Sequence, residues 1–209
     1  VIAAFNGTNN LKYRGFLKAC NRRAAAYACQ QINGYLQPNR ATIINLLSIE
    51  EREGKSFLAK YFAQYWESEG LHVRIVNHDI DFEKESKSYV QAQQLSDFWQ
   101  LNDAEQQPDI ILVEYPALCH YDVPEKVLAE SDFNLLVANA ARLWSEKDNA
   151  RLRSVKDILK DKSLYLYLNK ADRETVESFT GELPPHNSVH SFFRRLAQLG
   201  LTSQKAAVK

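Results

Sequence analysis

The chain has 209 residues, of which 45% are hydrophobic and 25% charged, and its 26 basic residues balance 26 acidic ones. This composition is ordinary for a globular protein with a sizeable core, and the neutral balance argues against nucleic acid as a partner. No apolar run approaches the ~20 residues that a membrane-spanning helix needs. We therefore expect one domain over residues 1–209, although two small domains would also fit this length.

The cysteines and the missing methionine bear on the origin of the chain. Cys20, Cys29 and Cys119 are too far apart for a zinc pattern, and their odd number indicates reduced thiols in a cytoplasmic protein. The sequence contains no methionine, not even at position 1. We therefore expect a domain of a longer protein, whose membrane segments would lie outside this sequence.

Strand and helix patterns alternate along the chain. Short, near-continuous apolar runs predict strands at residues 43–47, 73–76, 110–113, 134–138 and 164–168. Stripes of apolar residues predict helices at residues 11–34, 56–69, 86–101, 145–159 and 188–199. This alternation predicts an α/β fold, with a doubly wound, mostly parallel sheet and helices on both faces.

A phosphate-binding loop is predicted between the first of these strands and the helix that follows it. The sequence Glu53-Gly54-Lys55-Ser56 lies there, and the amides of such a loop and helix N-terminus attract phosphate oxygens. Lys55 would reach the β- and γ-phosphates, and the Ser56 hydroxyl would hold Mg²⁺. The alternative is a chance Gly-Lys-Ser sequence at a helix start.

The loop also departs from the consensus, and the departures predict weak or absent nucleotide binding. Ile49 stands where the first glycine belongs, and a β-branched residue resists positive φ. Glu50, Glu51 and Glu53 add carboxylates that oppose a polyanionic ligand unless a cation intervenes, and Arg52 offsets part of this charge.

Polar side chains follow the later strands at the points where they end. Asp79 and Asp81 follow the second strand and Glu114 the third, and carboxylates at this edge of a parallel sheet suit a magnesium ion or its waters. Asn169 and Asp172 follow the fifth strand, where a base-recognition loop would lie. Each motif alone could be an ordinary turn, but their shared order favours a nucleotide site.

Two histidines lie beside other reactive side chains. His78 precedes Asp79 and could touch a phosphate or a metal-bound water, but a plain loop position is favoured. Cys119 and His120 form a nucleophile-like pair, yet no orienting partner is evident in the sequence, so a buried or half-exposed thiol is favoured.

In this order, the motifs resemble those of the cytoplasmic domain of the bacterial tyrosine kinases attached to polysaccharide co-polymerases, a branch of the deviant Walker ATPases that include MinD and ParA. The resemblance covers nearly the whole chain, including an entering strand at residues 1–5. The matching residues are Ser48 and Glu53-Gly54-Lys55-Ser56 for Walker A, Asp79 and Asp81 for Walker A′, Glu114 for Walker B, and Asn169 to Asp172 for the base loop.

The resemblance implies a tyrosine-kinase-like domain that uses ATP or ADP with Mg²⁺ and regulates the chain length and export of capsular polysaccharide or exopolysaccharide. It implies a homo-oligomer, such as a ring, at the cytoplasmic face of the inner membrane, in contact with a membrane-spanning co-polymerase segment and the export machinery. The implied roles are catalysis for Lys55 and Asp79, nucleotide binding for Glu53, Gly54, Lys55, Ser56, Phe57, Asn169 and Asp172, and metal binding for Ser56, Asp81 and Glu114.

Departures from the family pattern predict weak or lost kinase activity. Glu83 stands where the family has an arginine, and residues 201–209 hold none of the tyrosines that its kinases phosphorylate. MinD and ParA relatives carry a lysine where this chain has Glu50, which favours the kinase branch. The alternatives are a catalytically inactive assembly module of the same family and a soluble positioning ATPase of the MinD/ParA type.

Overall fold

A computed structural model describes residues 3–6, 14–98 and 107–172, together with Thr175 and Glu177. The predicted helix at residues 188–199 lies outside this range. The strands are β1 (Ala3–Asn6), β2 (Thr42–Leu47), β3 (Val73–Asn77), β4 (Ile110–Glu114), β5 (Phe133–Asn139) and β6 (Leu164–Ala171). The helices are α1 (Arg14–Ile32), α2 (Lys55–Ser68), α3 (Lys87–Val90), α4 (Glu125–Ala129) and α5 (Glu146–Leu159). In the described part of the chain, no helix has both the length and the apolar content needed to cross a membrane.

The six strands form one sheet in the order β1-β6-β5-β2-β4-β3, and every neighbouring pair is parallel. This confirms the predicted α/β fold. Glu114 at the end of β4 pairs with Leu46 of β2 on one side and with Asn77 of β3 on the other. The carboxyl ends of these three neighbouring strands therefore meet at one edge, which is where open α/β sheets bind ligands.

Apolar side chains cover both faces of the sheet. Ile44 and Leu46 of β2 belong to one core cluster, together with Phe62 and Trp66 of α2 and with residues of α1. Leu47 belongs to a second cluster with residues of α4 and α5. Because successive side chains of a strand point to opposite faces, a strand that is buried on both sides must be apolar at nearly every position.

The predicted helix at residues 86–101 is wrong over the part that the structure describes. Only α3 and a short 3₁₀ turn at Leu95–Phe98 form there. The Asp97 carboxylate accepts hydrogen bonds from the amides of Gln93 and Gln94, and Glu130 accepts one from the amide of Leu95. Side chains therefore bind the amide protons that a continuous helix would use, which ends the helix early.

A buried polar network joins β2, β5 and the segment that leads from α4 to β5. Asn45 donates from Nδ2 to the carbonyl of Leu128 at 2.9 Å and to Oδ1 of Asn134 at 3.0 Å. The Ser131 hydroxyl donates to the same Asn134 oxygen at 2.7 Å. Asn45 and Asn134 are fully buried, so these bonds specify how β5 lies beside β2.

We expect Asn134→Ala to lower the free energy of unfolding by about 1–3 kcal/mol, because the buried Ser131 hydroxyl would lose its acceptor. Urea denaturation monitored by circular dichroism measures the change. Asn39→Ala, at an exposed position, is the matched control and should stay within about 0.5 kcal/mol of the parent. Equal stability of the two variants would show that the network contributes nothing.

Candidate functional site

The loop between β2 and α2 takes its unusual conformations at Arg52 and Gly54, not at Ile49. Arg52 has φ of 59° and Gly54 has φ of 103°. The Ile49 side chain is fully buried in the core cluster beneath the sheet edge. Ile49 therefore fits the loop without the strain expected from the sequence, and its side chain anchors the loop to the core.

Glu53 faces inward and holds the loop together. Its side chain is 2% exposed, and its carboxylate accepts hydrogen bonds from the amides of Ile49 at 3.1 Å and Glu50 at 3.2 Å. Nε of Arg142 donates to the other carboxylate oxygen at 2.9 Å. The negative charge of Glu53 is thus paired, and two loop amides are bound to it instead of being open to a ligand.

Lys55 is the first residue of α2, and its ammonium group lies at the mouth of the loop. The residue is 6% exposed, and Nζ donates to the Ser48 hydroxyl at 2.6 Å. Burial lowers the pKa of Lys55, whereas the nearby carboxylates, that of Glu114 above all, act to raise it. Gly54, the N-cap, has no side chain to cap α2, so the helix N-terminus is open for an anion.

Glu114 links three elements at the sheet edge. Its carboxylate accepts hydrogen bonds from the Ser56 hydroxyl and from Nδ2 of Asn77, the latter at 3.1 Å. Burial raises the pKa of Glu114, while the Ser56 hydrogen bond and the charge of Lys55 act to lower it. Oδ1 of Asn77 in turn accepts the amide proton of Asp79 at 3.0 Å, so one asparagine positions two predicted acidic site residues.

The two aspartates that follow β3 are placed differently. Asp79 lines the cleft beside the loop and forms an ion pair with Lys84. Asp81 is exposed, does not line the cleft, and accepts the amide proton of Asn77 at 3.3 Å. The structure thus brings Asp79, but not Asp81, to the predicted site.

The cleft has a volume of about 370 Å³, and its charged side chains balance. Three carboxylates face three cations across it. Its lining residues are Glu51, Arg52, Gly54, Lys55, Ser56, Phe57, Asp79, Lys84 and Glu114. A ligand that enters meets a balanced set of charges instead of a strongly positive surface.

The predicted base-loop residues lie beside the loop or away from it. Nδ2 of Asn169 donates to the backbone carbonyl of Glu53 at 2.7 Å, and Asn169 is 6% exposed. Asp172 is exposed and accepts hydrogen bonds from the amide and the hydroxyl of Thr175. Neither residue lines the cleft, so their roles in base recognition stay predictions.

Two cations at the site were not predicted from the sequence. Lys84 forms an ion pair with Asp79. It directly follows Glu83, the residue that stands where the resembling family has an arginine. Arg142, in the loop after β5, bonds to Glu53 and, through Nη1, to Asp148 at 2.9 Å. No sequence motif identifies Arg142, because its partner Glu53 is distant in sequence and its partner Asp148 lies on α5.

Solved structures share this arrangement of strands and helices. The kinase domain of the Escherichia coli tyrosine kinase ETK is similar with a TM-score of 0.61 and 12% identity, over 83% of this chain and 91% of that one. The chain has the fold of this kinase domain. The chimerical protein CapA2B2 is similar with a TM-score of 0.54 and 12% identity, over 83% of this chain and 95% of that one. No family model matches the sequence, and no curated protein matches it either.

The shared kinase fold confirms the structural side of the resemblance that the motifs suggested. At 12% identity the likeness covers the arrangement of the backbone and not the chemistry. The roles of individual side chains in this chain therefore depend on its own geometry.

Gly54 is required by both its conformation and its surroundings. A Cβ atom there would lie 2.0 Å from Nδ2 of Asn169, whereas one at Gly70, which also has positive φ, would meet nothing within 4 Å. We expect Gly70→Ala to lower the free energy of unfolding by about 1–2 kcal/mol. Gly54→Ala should lower it by about 1–3 kcal/mol more, because Asn169 must move.

Urea denaturation of both glycine variants, of Asn169→Ala and of the double variant Gly54→Ala/Asn169→Ala measures these changes in the free energy of unfolding. Truncation of Asn169 removes the clash, so a clash predicts a double variant less destabilised than the sum of the two single variants. Strict additivity would mean that the contact between Gly54 and Asn169 does not explain the glycine.

His78 lies behind the cleft and not in it. Its ring is fully buried, Nδ1 lies 3.1 Å from the Tyr89 hydroxyl, and the rings of Phe82, Phe98 and Tyr115 pack around it. Burial lowers the pKa of His78 to about 4. The histidine is therefore neutral in the folded protein and does not face the space where a phosphate would bind.

This burial predicts acid-sensitive stability. Between its ordinary pKa of 6.5 and its folded pKa of about 4, His78 binds a proton only in the unfolded chain. Stability should therefore fall by about 3 kcal/mol as the pH drops through this window and lose nothing more from this group below it. His78→Phe should flatten that part of the pH profile, and an unchanged slope would contradict the assignment.

Proposed function

We propose that this chain is a nucleotide-binding, tyrosine-kinase-like domain that takes up ATP or ADP with Mg²⁺ in the cleft at the start of α2. One observation carries the proposal. The Lys55 ammonium, the Ser56 hydroxyl and the carboxylates of Glu114 and Asp79 converge at the carboxyl edge of the sheet, beside a helix N-terminus without a side-chain cap.

Each of these side chains suits a part of the ligand. Lys55 would exchange its bond to Ser48 for the β- and γ-phosphate oxygens. Ser56 and Glu114 offer the oxygen ligands that Mg²⁺ prefers, and they already lie in contact. Mg²⁺ would supply positive charge between the phosphates and these oxygens. Asp81, also predicted as a metal ligand, would first have to leave the amide of Asn77.

The charge balance of the cleft supports a strict need for the metal. Glu51, Asp79 and Glu114 face Arg52, Lys55 and Lys84 across it, so a bare nucleotide polyanion meets as much repulsion as attraction. A magnesium–nucleotide complex carries less negative charge and offers the carboxylates a partner. The carboxylates that looked adverse in the sequence thus favour the metal complex over the free nucleotide.

Phosphoryl transfer to tyrosine, the nearest catalytic activity, is proposed to be slow or lost. Asp79, the side chain that would orient or deprotonate a tyrosine hydroxyl, is paired with Lys84. Glu53 binds two loop amides that a phosphate would otherwise use. These bonds favour an assembly module that binds nucleotide over a fast kinase. The bonds to the loop amides also support the second candidate function, an assembly module that no longer binds nucleotide.

The cellular role that we propose follows from the motif resemblance. The domain would act as a homo-oligomer at the cytoplasmic face of the inner membrane, with a co-polymerase segment and the export machinery, in setting the chain length of a capsular polysaccharide or exopolysaccharide. A MinD/ParA-type positioning ATPase is less well supported. Glu50 stands in place of the lysine of those proteins, and its carboxylate lies 2.7 Å from His120.

Calorimetric titration tests the nucleotide site. We expect Mg-ADP to bind the parent chain and Lys55→Ala to weaken binding by about 10–100-fold, because a charge-assisted hydrogen bond is lost. Lys156→Ala, an exposed lysine on α5, should bind like the parent. ADP with a chelator in place of Mg²⁺ should release no heat.

Three results would sort the candidates. No heat at millimolar Mg-ADP would contradict nucleotide binding and leave the inert assembly module. Equal binding by Lys55→Ala and the parent would contradict the site. Rapid Mg-ATP-dependent tyrosine phosphorylation that Lys55→Ala abolishes would contradict the proposal of slow or lost transfer.

A further inference from the structure

A second group of metal-ligating side chains lies outside the nucleotide cleft. Sγ of Cys119 and carboxylate oxygens of Glu50 and Asp148 all lie within 4.8 Å of one another. Nε2 of His120 lies 2.7 Å from the Glu50 carboxylate. None of these four side chains lines the cleft. We propose that they bind one divalent transition-metal ion, with Zn²⁺ as the ion that best fits the donors.

The donor set selects the class of metal. Thiolate, imidazole and carboxylate are the ligands of zinc, whereas Mg²⁺ and Ca²⁺ take oxygen ligands. Zinc bonds of about 2.0–2.3 Å place tetrahedral ligands about 3.3–3.8 Å apart. Glu50, Cys119 and Asp148 would therefore close in by up to about 1–1.5 Å around the ion. His120 would move slightly away from Glu50, and the side chains of both residues are partly exposed and have room to turn.

The backbone beneath the group is already held in place. The amides of Leu118 and Cys119 donate to the carbonyls of Ser48 and Ile49, each at 3.0 Å. The segment that carries Cys119 and His120 is thus tied to the loop that carries Glu50. Two of the three chain segments of the site are fixed to each other without help from a metal.

Asp148, the donor from the third segment, is oriented by its own hydrogen bonds. Its side chain is 2% exposed, and Oδ2 accepts bonds from the amide and the hydroxyl of Ser145 and from Arg142. All of these bonds use Oδ2, which leaves Oδ1 for the ion. In protein metal sites, the ligands are typically oriented in this way by hydrogen bonds from the surrounding residues.

The negative charge of the carboxylates around this group also favours a bound cation. The carboxylates of Glu53 and Asp148, both with side chains 2% exposed, share the single guanidinium group of Arg142, and Glu50 adds a third carboxylate. Negative charge at low exposure is costly unless it is paired or bound to a metal. A divalent ion would supply the missing charge, and the partly exposed side chains of Glu50 and His120 leave it a way in.

The state of Cys119 predicts how binding depends on pH. Burial first, and the negative charge of Glu50 second, raise the pKa of this thiol. Lys147 acts in the opposite direction and Asp148 in the same one. Because zinc binds the thiolate, an ion must displace the thiol proton, and affinity should rise with pH whatever the size of this shift.

Metal titration of the full chain tests the site. We expect one Zn²⁺ per chain in competition with a chromophoric chelator, and Co²⁺ in its place should give a thiolate-to-cobalt absorption band. Cys119→Ser should abolish the band and weaken Zn²⁺ binding by more than about a hundredfold, since even outer-shell changes cost about 10–100-fold. Glu50→Gln should weaken binding too, whereas Asp157→Asn, at an exposed carboxylate on α5 outside both groups, should not.

The same measurements can overturn the proposal. A missing cobalt–thiolate band, or equal Zn²⁺ affinity of Cys119→Ser and the parent, would exclude the site. Zn²⁺ binding that is lost in Ser56→Ala and kept in Cys119→Ser would place the ion in the nucleotide cleft instead. If Cys119→Ser does not fold by circular dichroism, alkylation of Cys119 in the parent decides. Zinc should slow that alkylation, and equal rates with and without zinc would exclude the site.

Discussion

The buried carboxylate of Glu53 is the constraint on which the rest of the site depends. It binds the amides at the start of its own loop and the guanidinium group of Arg142, while the backbone carbonyl of Glu53 accepts a hydrogen bond from Asn169. One residue thus connects the loop after β2 to the segments that follow β5 and end β6. The cost of burying its charge is offset because every one of these bonds is charge-assisted or buried.

The polar side chains around this loop already form hydrogen bonds and ion pairs with one another, and this affects how a ligand would bind. Lys55 is bound to Ser48, Ser56 to Glu114, and Asp79 to Lys84. A nucleotide of the proposed kind would have to exchange each of these bonds for one of its own, so only the difference between the two sets would contribute to its affinity. The side chains of such a cleft are already bonded to one another and would compete with a ligand. A magnesium ion would change that balance by adding positive charge that the side chains lack.

The elements of the fold that the sequence predicted are those that depend on local pattern. The apolar runs of β2, β4 and β5 had to be continuous because these strands are buried on both faces of the sheet. The Gly-Lys-Ser sequence was recognisable because it follows the first of them. The prediction of a helix at residues 86–101 was wrong because the side chains of Asp97 and Glu130 bind backbone amides there. The strain predicted at Ile49 is absent because Arg52, and not Ile49, has the positive φ. The role of Arg142 was beyond prediction, since its partner Glu53 is distant in sequence.

Arg142 also joins the two sites that we propose. It donates from Nε to Glu53, which shapes the predicted phosphate-binding loop, and from Nη1 to Asp148, a donor of the proposed zinc site. A cation bound to Asp148 would weaken the attraction of that carboxylate for the guanidinium group and leave more of it for Glu53. The metal would also hold Glu50, whose amide bonds to Glu53. Occupancy of one site would therefore change the affinity of the other, and such coupling acts equally in both directions.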